Sequence, residues 1–244
     1  MTVTFEKLGQ YGRLGNQLWQ IAATVGYSMR YDDPYFFPHW EYEDDFNIPK
    51  NCFSDMLLKG SIYEEPHFHY AGIVYGPRTI LHGYFQSYKY WQDYGKDIRE
   101  LLTPKRHQER IDATAIHVRR TDYLTHVGCY NILDMKYYEK AMDLANTPKY
   151  LVFSDDIRWC KEHFVGNNFE FSEGNSTVVD FSIMIKCKNY IIANSSYSWW
   201  AAWLNGDSDK KVFVPKVWFG PQLSPTHNIK DLYPDDWTKI SGGN

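Results

Sequence analysis

The residues best suited to chemistry lie in one stretch, 114–124, which reads Thr-Ala-Ile-His-Val-Arg-Arg-Thr-Asp-Tyr-Leu. Ala115 to Val118 forms a short apolar and β-branched run that reads as a buried strand. His117 lies near its end, and Arg119, Arg120 and Asp122 follow. Arginine presents a planar fork of donors that matches phosphate oxygens, and in open α/β sheets ligands lie outside the carboxyl ends of the strands. One reading is therefore an anion site. The other is a structural ion pair of Arg119 or Arg120 with Asp122 at a loop mouth, and the spacing suits both.

Other polar groups collect at comparable places. Ser154, Asp155 and Asp156 follow a second apolar run, and Asn194, Ser195, Ser196 and Ser198 follow a fourth. One of the first three is expected to cap the next helix. That leaves a carboxylate free to accept paired hydrogen bonds from a guanine base or from ribose hydroxyls, and no second acidic cluster suggests a metal. The serines and nearby backbone N–H groups suit a phosphate, or simple helix capping. His117 in an apolar strand fits a structural histidine as well as a functional one. A base can be sought at His126, Asp122 or Asp180. No P-loop, HExxH or Ser/His/Asp order is present.

These groups need a scaffold that brings strand ends together. Apolar runs near 115–118, 150–153, 168–171, 190–193 and 211–214 alternate with helical patterns over 135–146, 156–164 and 177–188, and a short helix is expected after Ser198. This β-α-β order predicts a parallel, doubly wound α/β sheet that aims its polar residues at one edge. The amino-terminal part predicts a strand over 3–5, a glycine-containing loop, and a helix over 16–30 with Asn16 as N-cap. Leu18, Ile21, Ala22, Val25 and Met29 fall on one face of that helix. The loop either offers backbone N–H groups to an anion or merely permits a tight turn. Residues 31–78 are irregular and carry no assigned function. A strand over 79–83, an aromatic loop over 84–90 and a helix over 91–102 follow, the helix stopping before Pro104. The charged stretch 105–110 marks a seam, dividing the 244 residues into lobes 1–108 and 109–244.

Composition narrows the classes. The net charge of −4, without a dense Lys/Arg block, argues against a nucleic-acid partner. Nine Trp and twenty Tyr supply stacking surfaces of the kind used on sugars and bases, with Trp199, Trp200 and Trp203 read as core and interlobe packing. The four cysteines are widely separated and read as reduced thiols. No apolar leader and no run of about 18 apolar residues occurs, so a cytoplasmic protein without a membrane span is expected. The sequons at Asn175 and Asn194 then carry no glycosylation message.

Six segments in order resemble the α-1,2-fucosyltransferases of glycosyltransferase family 11 over nearly the whole chain. They are Gly12-Arg13-Leu14-Gly15-Asn16-Gln17, Gly83-Tyr84-Phe85-Gln86-Ser87, His117-Val118-Arg119-Arg120-Thr121-Asp122-Tyr123, Phe153-Ser154-Asp155-Asp156, Asn194-Ser195-Ser196-Tyr197-Ser198-Trp199-Trp200, and Pro215-Lys216-Val217-Trp218-Phe219. The His-Val-Arg-Arg-Thr-Asp form is shared with α-1,6-fucosyltransferases. The resemblance implies a GT-B fold of two Rossmann-like lobes with a cleft between them and the amino-terminal lobe on the acceptor side; the chain departs from the family in that its amino-terminal lobe is reduced. It implies GDP-β-L-fucose as donor, a glycan acceptor, and inversion to an α-fucoside, α-1,2 to galactose, with no cofactor or obligatory metal.

Carried over residue by residue, Arg119 and Arg120 hold the pyrophosphate, with Arg119 the catalytic contact. His117 and one of Asp155 or Asp156, beside Ser154, face guanine or ribose. Ser195, Ser196 and Ser198 line the phosphates, and Asn16 and Gln17 approach the pyrophosphate and fucose from the other lobe. The α-1,6 relatives place a glutamate shortly after their arginines; here Val127 stands near that place with His126 beside it, so the base stays open between His126 and Asp122. Two alternatives stand beside this reading: a transferase of the same fold using another nucleotide sugar, and a non-catalytic glycan- or nucleotide-binding protein.

Overall fold

The computed structural model describes residues 1–106, 109–126 and 128–242. His107 and Gln108, within the seam read at 105–110, and Val127 lie outside the described residues. Two units form: Met1–Lys105 with Thr226–Pro234, and Arg106–Pro225 with Asp235–Asn244. Both are mixed α/β with parallel sheets.

In the first unit, β1 (Thr2–Thr4), β2 (Tyr35–Phe36), β3 (Ser61–Glu64) and β4 (Arg78–His82) form a four-stranded sheet in the order β2-β1-β4-β3. Neither β2 nor β3 is visible in the irregular 31–78 pattern, because each is short and is recruited by pairing rather than by periodicity. Helix α1 (Leu14–Tyr31) begins two residues before the expected start. Asn16 is therefore inside the first turn and not its cap; the cap position is Arg13, extended and without a side-chain cap bond, and Arg13 carbonyl accepts from the Asn16 and Gln17 N–H groups. Gly12, at φ 73°, makes the reversal that brings the helix start forward.

The helix is buried on nearly every side, not along one stripe. Trp19, Ile21, Ala22 and Thr24 are all inaccessible, while Met29, expected on the inner face, is 38% exposed. Two polar positions inside are satisfied: Thr24 Oγ1 donates to the Gln20 carbonyl at 2.8 Å, and Gln17 Oε1 accepts from Trp40 Nε1 at 2.7 Å. The stretch 91–102 divides into a 3₁₀ turn, Gln92–Tyr94, and α2 (Gly95–Leu102), with Ile98 and Leu102 buried.

The second unit holds β5 (Ile111–Val118), β6 (Tyr150–Ser154), β7 (Phe169–Phe171), β8 (Cys187–Ile191), β9 (Val212–Pro215) and β10 (Thr238–Ile240). Their order is β10-β9-β8-β5-β6-β7, and every pairing is parallel. The connecting helices are α3 (Thr121–Thr125), α4 (Met135–Ala145), α5 (Ile157–His163), α6 (Thr177–Ile185) and α7 (Ser196–Leu204). The sheet grows one way from β5 to β7 and the other way from β8 to β10, so a topological switch point lies between β5 and β8.

Helix α6 stops before the expected 188 because Cys187–Ile191 is needed for β8, and the Tyr190 hydroxyl donates to the Ile185 carbonyl at the junction. Ile116, Val118, Tyr137, Tyr138, Val152 and Ile191 form the core on the α4 side. Trp199 and Trp200 are fully buried, and Trp199 also packs on Trp237. Among the described residues, no helix is long and apolar enough to cross a membrane.

One glycine of α1 allows a direct test of this packing. A Cβ on Gly26 would stand 2.5 Å from the Tyr90 carbonyl oxygen and 3.0 Å from Trp91 Cβ. Alanine is the better helix former by about 1 kcal/mol, yet the clash involves backbone, and overpacking of this kind costs about 1–3 kcal/mol. Gly26→Ala should therefore lower the urea midpoint of the protein; a raised midpoint would mean that the packing of α1 against Tyr90 and Trp91 yields.

Candidate functional site

Alternation along β5 sends neighbouring side chains to opposite faces of the sheet. Val118 joins the core with Tyr137 and Tyr138 of α4, whereas His117 meets α7. Its Nδ1 lies 2.8 Å from Ser198 Oγ, and Ser198 in turn donates to the Ser195 carbonyl at 3.3 Å. That order places the imidazole proton on Nδ1 and leaves Nε2 an acceptor. Burial, then the Arg119 charge, pushes the His117 pKa down to about 3 against the opposite pull of Asp155, so the ring is neutral near pH 7. The hydrogen bond joins the end of β5 to the start of α7, directly across the switch point.

Arg119 is fixed between two carboxylates. Its Nη1 lies 3.0 Å from Asp155 Oδ2 and its Nη2 lies 2.6 Å from Asp122 Oδ1, with the guanidinium 5.6 Å from the Tyr123 ring centre. The ion pair with Asp122 anticipated from spacing thus exists, and it exists at a sheet edge. Asp155 also accepts from the backbone N–H of Arg120 at 2.9 Å, from that of Thr121 at 3.2 Å, and from the Thr121 hydroxyl. Burial pushes the Asp155 pKa up, but the Thr121 hydroxyl, the Arg119 charge and the Arg120 N–H outweigh it, and the net shift is downward.

Arg120 turns elsewhere. Its guanidinium stacks 4.0 Å from the Trp159 ring centre, its Nε lies 3.4 Å from Asp156 Oδ2, and Trp159 itself stacks on His163 at 4.0 Å. Asp156 is the N-cap of α5, accepting from the Trp159 N–H at 3.1 Å, and its own N–H donates to Ser154 Oγ at 2.9 Å. The expectation of a carboxylate left free is therefore corrected: Asp156 caps the helix and faces Arg120, and Asp155 is committed to Arg119 and to α3. The two arginines do not form one fork. Arg120 instead borders a cavity of about 870 Å³ shared with Tyr130, Asn131, Trp159, Phe219 and Ser224.

The remaining candidates fall around this edge or in the first unit. Ser195 occupies the N-cap position of α7 without a side-chain cap bond, and Ser196 is buried in the first turn. Asn194 braces the edge: its Nδ2 donates to the carbonyls of Asn131 (2.9 Å) and Trp218 (2.7 Å), and its own carbonyl accepts from the Tyr123 hydroxyl (2.7 Å). His126 is exposed at the end of α3, with Nδ1 2.8 Å from the Asp122 carbonyl. In the first unit, Asn16 Oδ1 accepts from Gln86 Nε2 at 2.9 Å, and Gln17 Nε2 donates to the Gly12 carbonyl at 3.1 Å.

Sequence reasoning did not single out Thr121, Tyr123 or Trp159. The first two stand in the arginine stretch itself, and the third follows Asp156 by the three residues of a capping contact. Among the described residues, no group of three or more His, Cys, Asp or Glu is gathered to hold a metal ion.

A doubly wound parallel sheet with a buried histidine, a fixed arginine and hydroxyl groups at its switch point defines the second unit as Rossmann-like, the class that binds nucleotides at this edge. The family model of glycosyl transferase family 11 matches residues 33–241. The chain belongs to that family.

It is 38% identical over 143 residues to the O-antigen biosynthesis glycosyltransferase WbnK of Escherichia coli, covering 54% of this chain and 46% of that protein. It is 32% identical over 180 residues to an α-1,2-colitosyltransferase of Escherichia coli, covering 65% and 61%. A galactoside α-(1,2)-fucosyltransferase 2 of Rattus norvegicus matches at 30% over 136 residues, covering 44% and 37%. The chain thus spans about half the length of the curated relatives it matches. A GDP complex of a FUT1 mutant from Arabidopsis thaliana superposes with a TM-score of 0.48 at 10% identity, covering 87% of this chain and 70% of that one.

The depressed pKa of Asp155 has a measurable consequence. The stability it contributes is present above the ordinary carboxylate value of about 3.9 and is lost as pH falls through the lower folded value. Urea midpoints taken from neutral pH into acid should fall more steeply for the wild type than for Asp155→Asn. The variant should be less stable at neutral pH by about 1–3 kcal/mol, since it leaves donors of Arg119 and α3 poorly matched. Parallel pH curves for the two proteins would show that the carboxylate is not held as described.

Proposed function

We propose that this chain is an inverting, metal-independent glycosyltransferase of GT-B arrangement. It transfers L-fucose from GDP-β-L-fucose to a glycan hydroxyl, forming an α-1,2 linkage to galactose. The observation that carries the reading is the His117–Ser198 hydrogen bond across the switch point, with Arg119 immobilised one residue past the end of β5. Family membership supplies the reaction class, and two relatives are α-1,2-transferases by name.

In this reading the carboxyl-terminal lobe read from the sequence, 109–244, binds the donor and the amino-terminal lobe, 1–108, serves the acceptor. Departure of GDP gathers negative charge on the β-phosphate. A guanidinium already oriented stabilises that charge most in the transition state, without reorganising when the charge appears. Asp122 and Asp155 orient Arg119, and Asp156 with Trp159 orients Arg120. His117 and Ser154 face the base or ribose, and Ser195 and Ser196 line the phosphates together with the N–H groups at the start of α7, while Ser198, fully buried and bonded to His117 and the Ser195 carbonyl, braces them from behind. Asn16 and Gln17 approach the fucose.

The acceptor hydroxyl attacks the anomeric carbon from the face opposite GDP. Its proton goes to His126, whose Nδ1–H donates to the Asp122 carbonyl and so keeps Nε2 basic. Asp122 instead orients Arg119, with its Oδ1 2.6 Å from Nη2.

A second reading, favoured by the colitosyltransferase relative, keeps the linkage and changes the sugar. Purified protein in EDTA, given GDP-fucose or a colitosyl donor with a β-galactoside, should release GDP and yield a product whose mass reports the sugar. Arg119→Ala should lower kcat by about 10²–10³-fold. Product from the colitosyl donor alone would replace fucose in the assignment, and GDP binding with no turnover of any donor would leave a binding protein.

A further inference from the structure

Glu65, just past the end of β3, is a mostly buried carboxylate that none of these roles uses. Its Oε2 accepts from two successive backbone N–H groups, those of Tyr84 at 2.8 Å and Phe85 at 2.9 Å. Its Oε1 is shut off from solvent and has no hydrogen-bond partner among the described residues. The turn it holds is costly. Gly83 has φ 150° and Phe85 φ 52°, the latter in a region that residues with a side chain rarely enter. A Cβ on Gly83 would stand 2.4 Å from Glu65 Cβ, so the glycine is what lets the carboxylate come this close.

The Phe85 ring is inaccessible, packed on Phe5, Tyr63 and Tyr90. From this turn Gln86 reaches the amide of Asn16.

We propose that Glu65 is a positioning residue: its carboxyl group holds the 83–87 turn, and through Gln86 the Asn16 amide, in the shape the reaction requires, so that its ionisation sets the pH range of full activity. The proposal rests on the donor-side role given above to Asn16. Because burial favours the neutral acid, the turn is held most firmly below the pKa of Glu65 and loosens as the group ionises. Burial pushes the Glu65 pKa up to about 7, against the Phe85 and Tyr84 N–H bonds that pull it down. The ionisable groups coupled to it are the phenols of Tyr63 on β3 and Tyr90 in the turn after Ser87, both of which its charge pushes further up. Its neighbour Glu64 is exposed and pairs with His82 instead.

Protection of the Tyr84 and Phe85 amides against hydrogen exchange, corrected for the intrinsic pH dependence, should fall about tenfold as pH rises through about 7 in the wild type. In Glu65→Gln it should stay at the wild-type low-pH level, and in Glu65→Ala it should be lost. The ratio kcat/KM should fall over the same pH range in the wild type, and that limb should be absent in Glu65→Gln. PH-independent protection of both amides in the wild type overturns the proposal even if the variants do not fold, and so does a Glu65→Gln enzyme that keeps the limb. Amide exchange needs no substrate, so an absence of turnover with every donor would count against the assigned reaction, while the exchange series still decides whether Glu65 holds the turn.

Discussion

The organisation of the second unit depends on one charged contact, the Arg119 guanidinium held between Asp155 and Asp122. Three chain segments meet there: the end of β5, the start of α3 and the loop after β6. Helix α3 has five residues, far fewer than a helix needs to persist alone, and its first N–H groups are satisfied by Asp155 rather than by a residue of its own. Two carboxylates against one guanidinium over-compensate its charge. They also fix its direction.

The first unit uses a different economy. Its central helix is enclosed, so the polar side chains of α1 serve the interior: Gln17 satisfies the buried Trp40 indole, and Thr24 returns its hydroxyl to the backbone. Asn16 is the exception, since its carbonyl oxygen is taken by a turn after β4 that a carboxylate holds in strained form. Both units therefore use buried or half-buried acids to shape backbone beside a helix start, in one case at Asp155 and in the other at Glu65.

Much of this was legible in the chain. The five regular apolar runs became β5 to β9 because buried parallel strands are continuous and apolar, and the polar residues at their ends did gather at one edge. The strands that escaped notice, β2, β3 and β10, have two to four residues and exist through their partners. Asn16 misled because the preference for Asn at N-caps is statistical, whereas Gly12 and the extended Arg13 set the actual start. The parting of Arg119 from Arg120 was hidden for a different reason. Adjacent residues past a strand end have no fixed relation, and the surface that captures Arg120 comes from Trp159 on another helix. Glu65 lay in a stretch with no periodicity, and only tertiary structure shows which N–H groups it meets.

The chain leaves its first unit at Lys105 and returns to it at Thr226–Pro234 after completing most of the second. That return carries Asp231, 5% exposed, whose carboxylate accepts from the Tyr70 N–H at 3.1 Å and from Lys89 Nζ at 2.6 Å. During synthesis, residues 1–105 thus emerge first but wait for their counter-charge until the ribosome has passed through every strand of the second unit except β10. The earlier-made half is finished late, so a nascent chain holds an incomplete first unit while the larger sheet is already able to assemble.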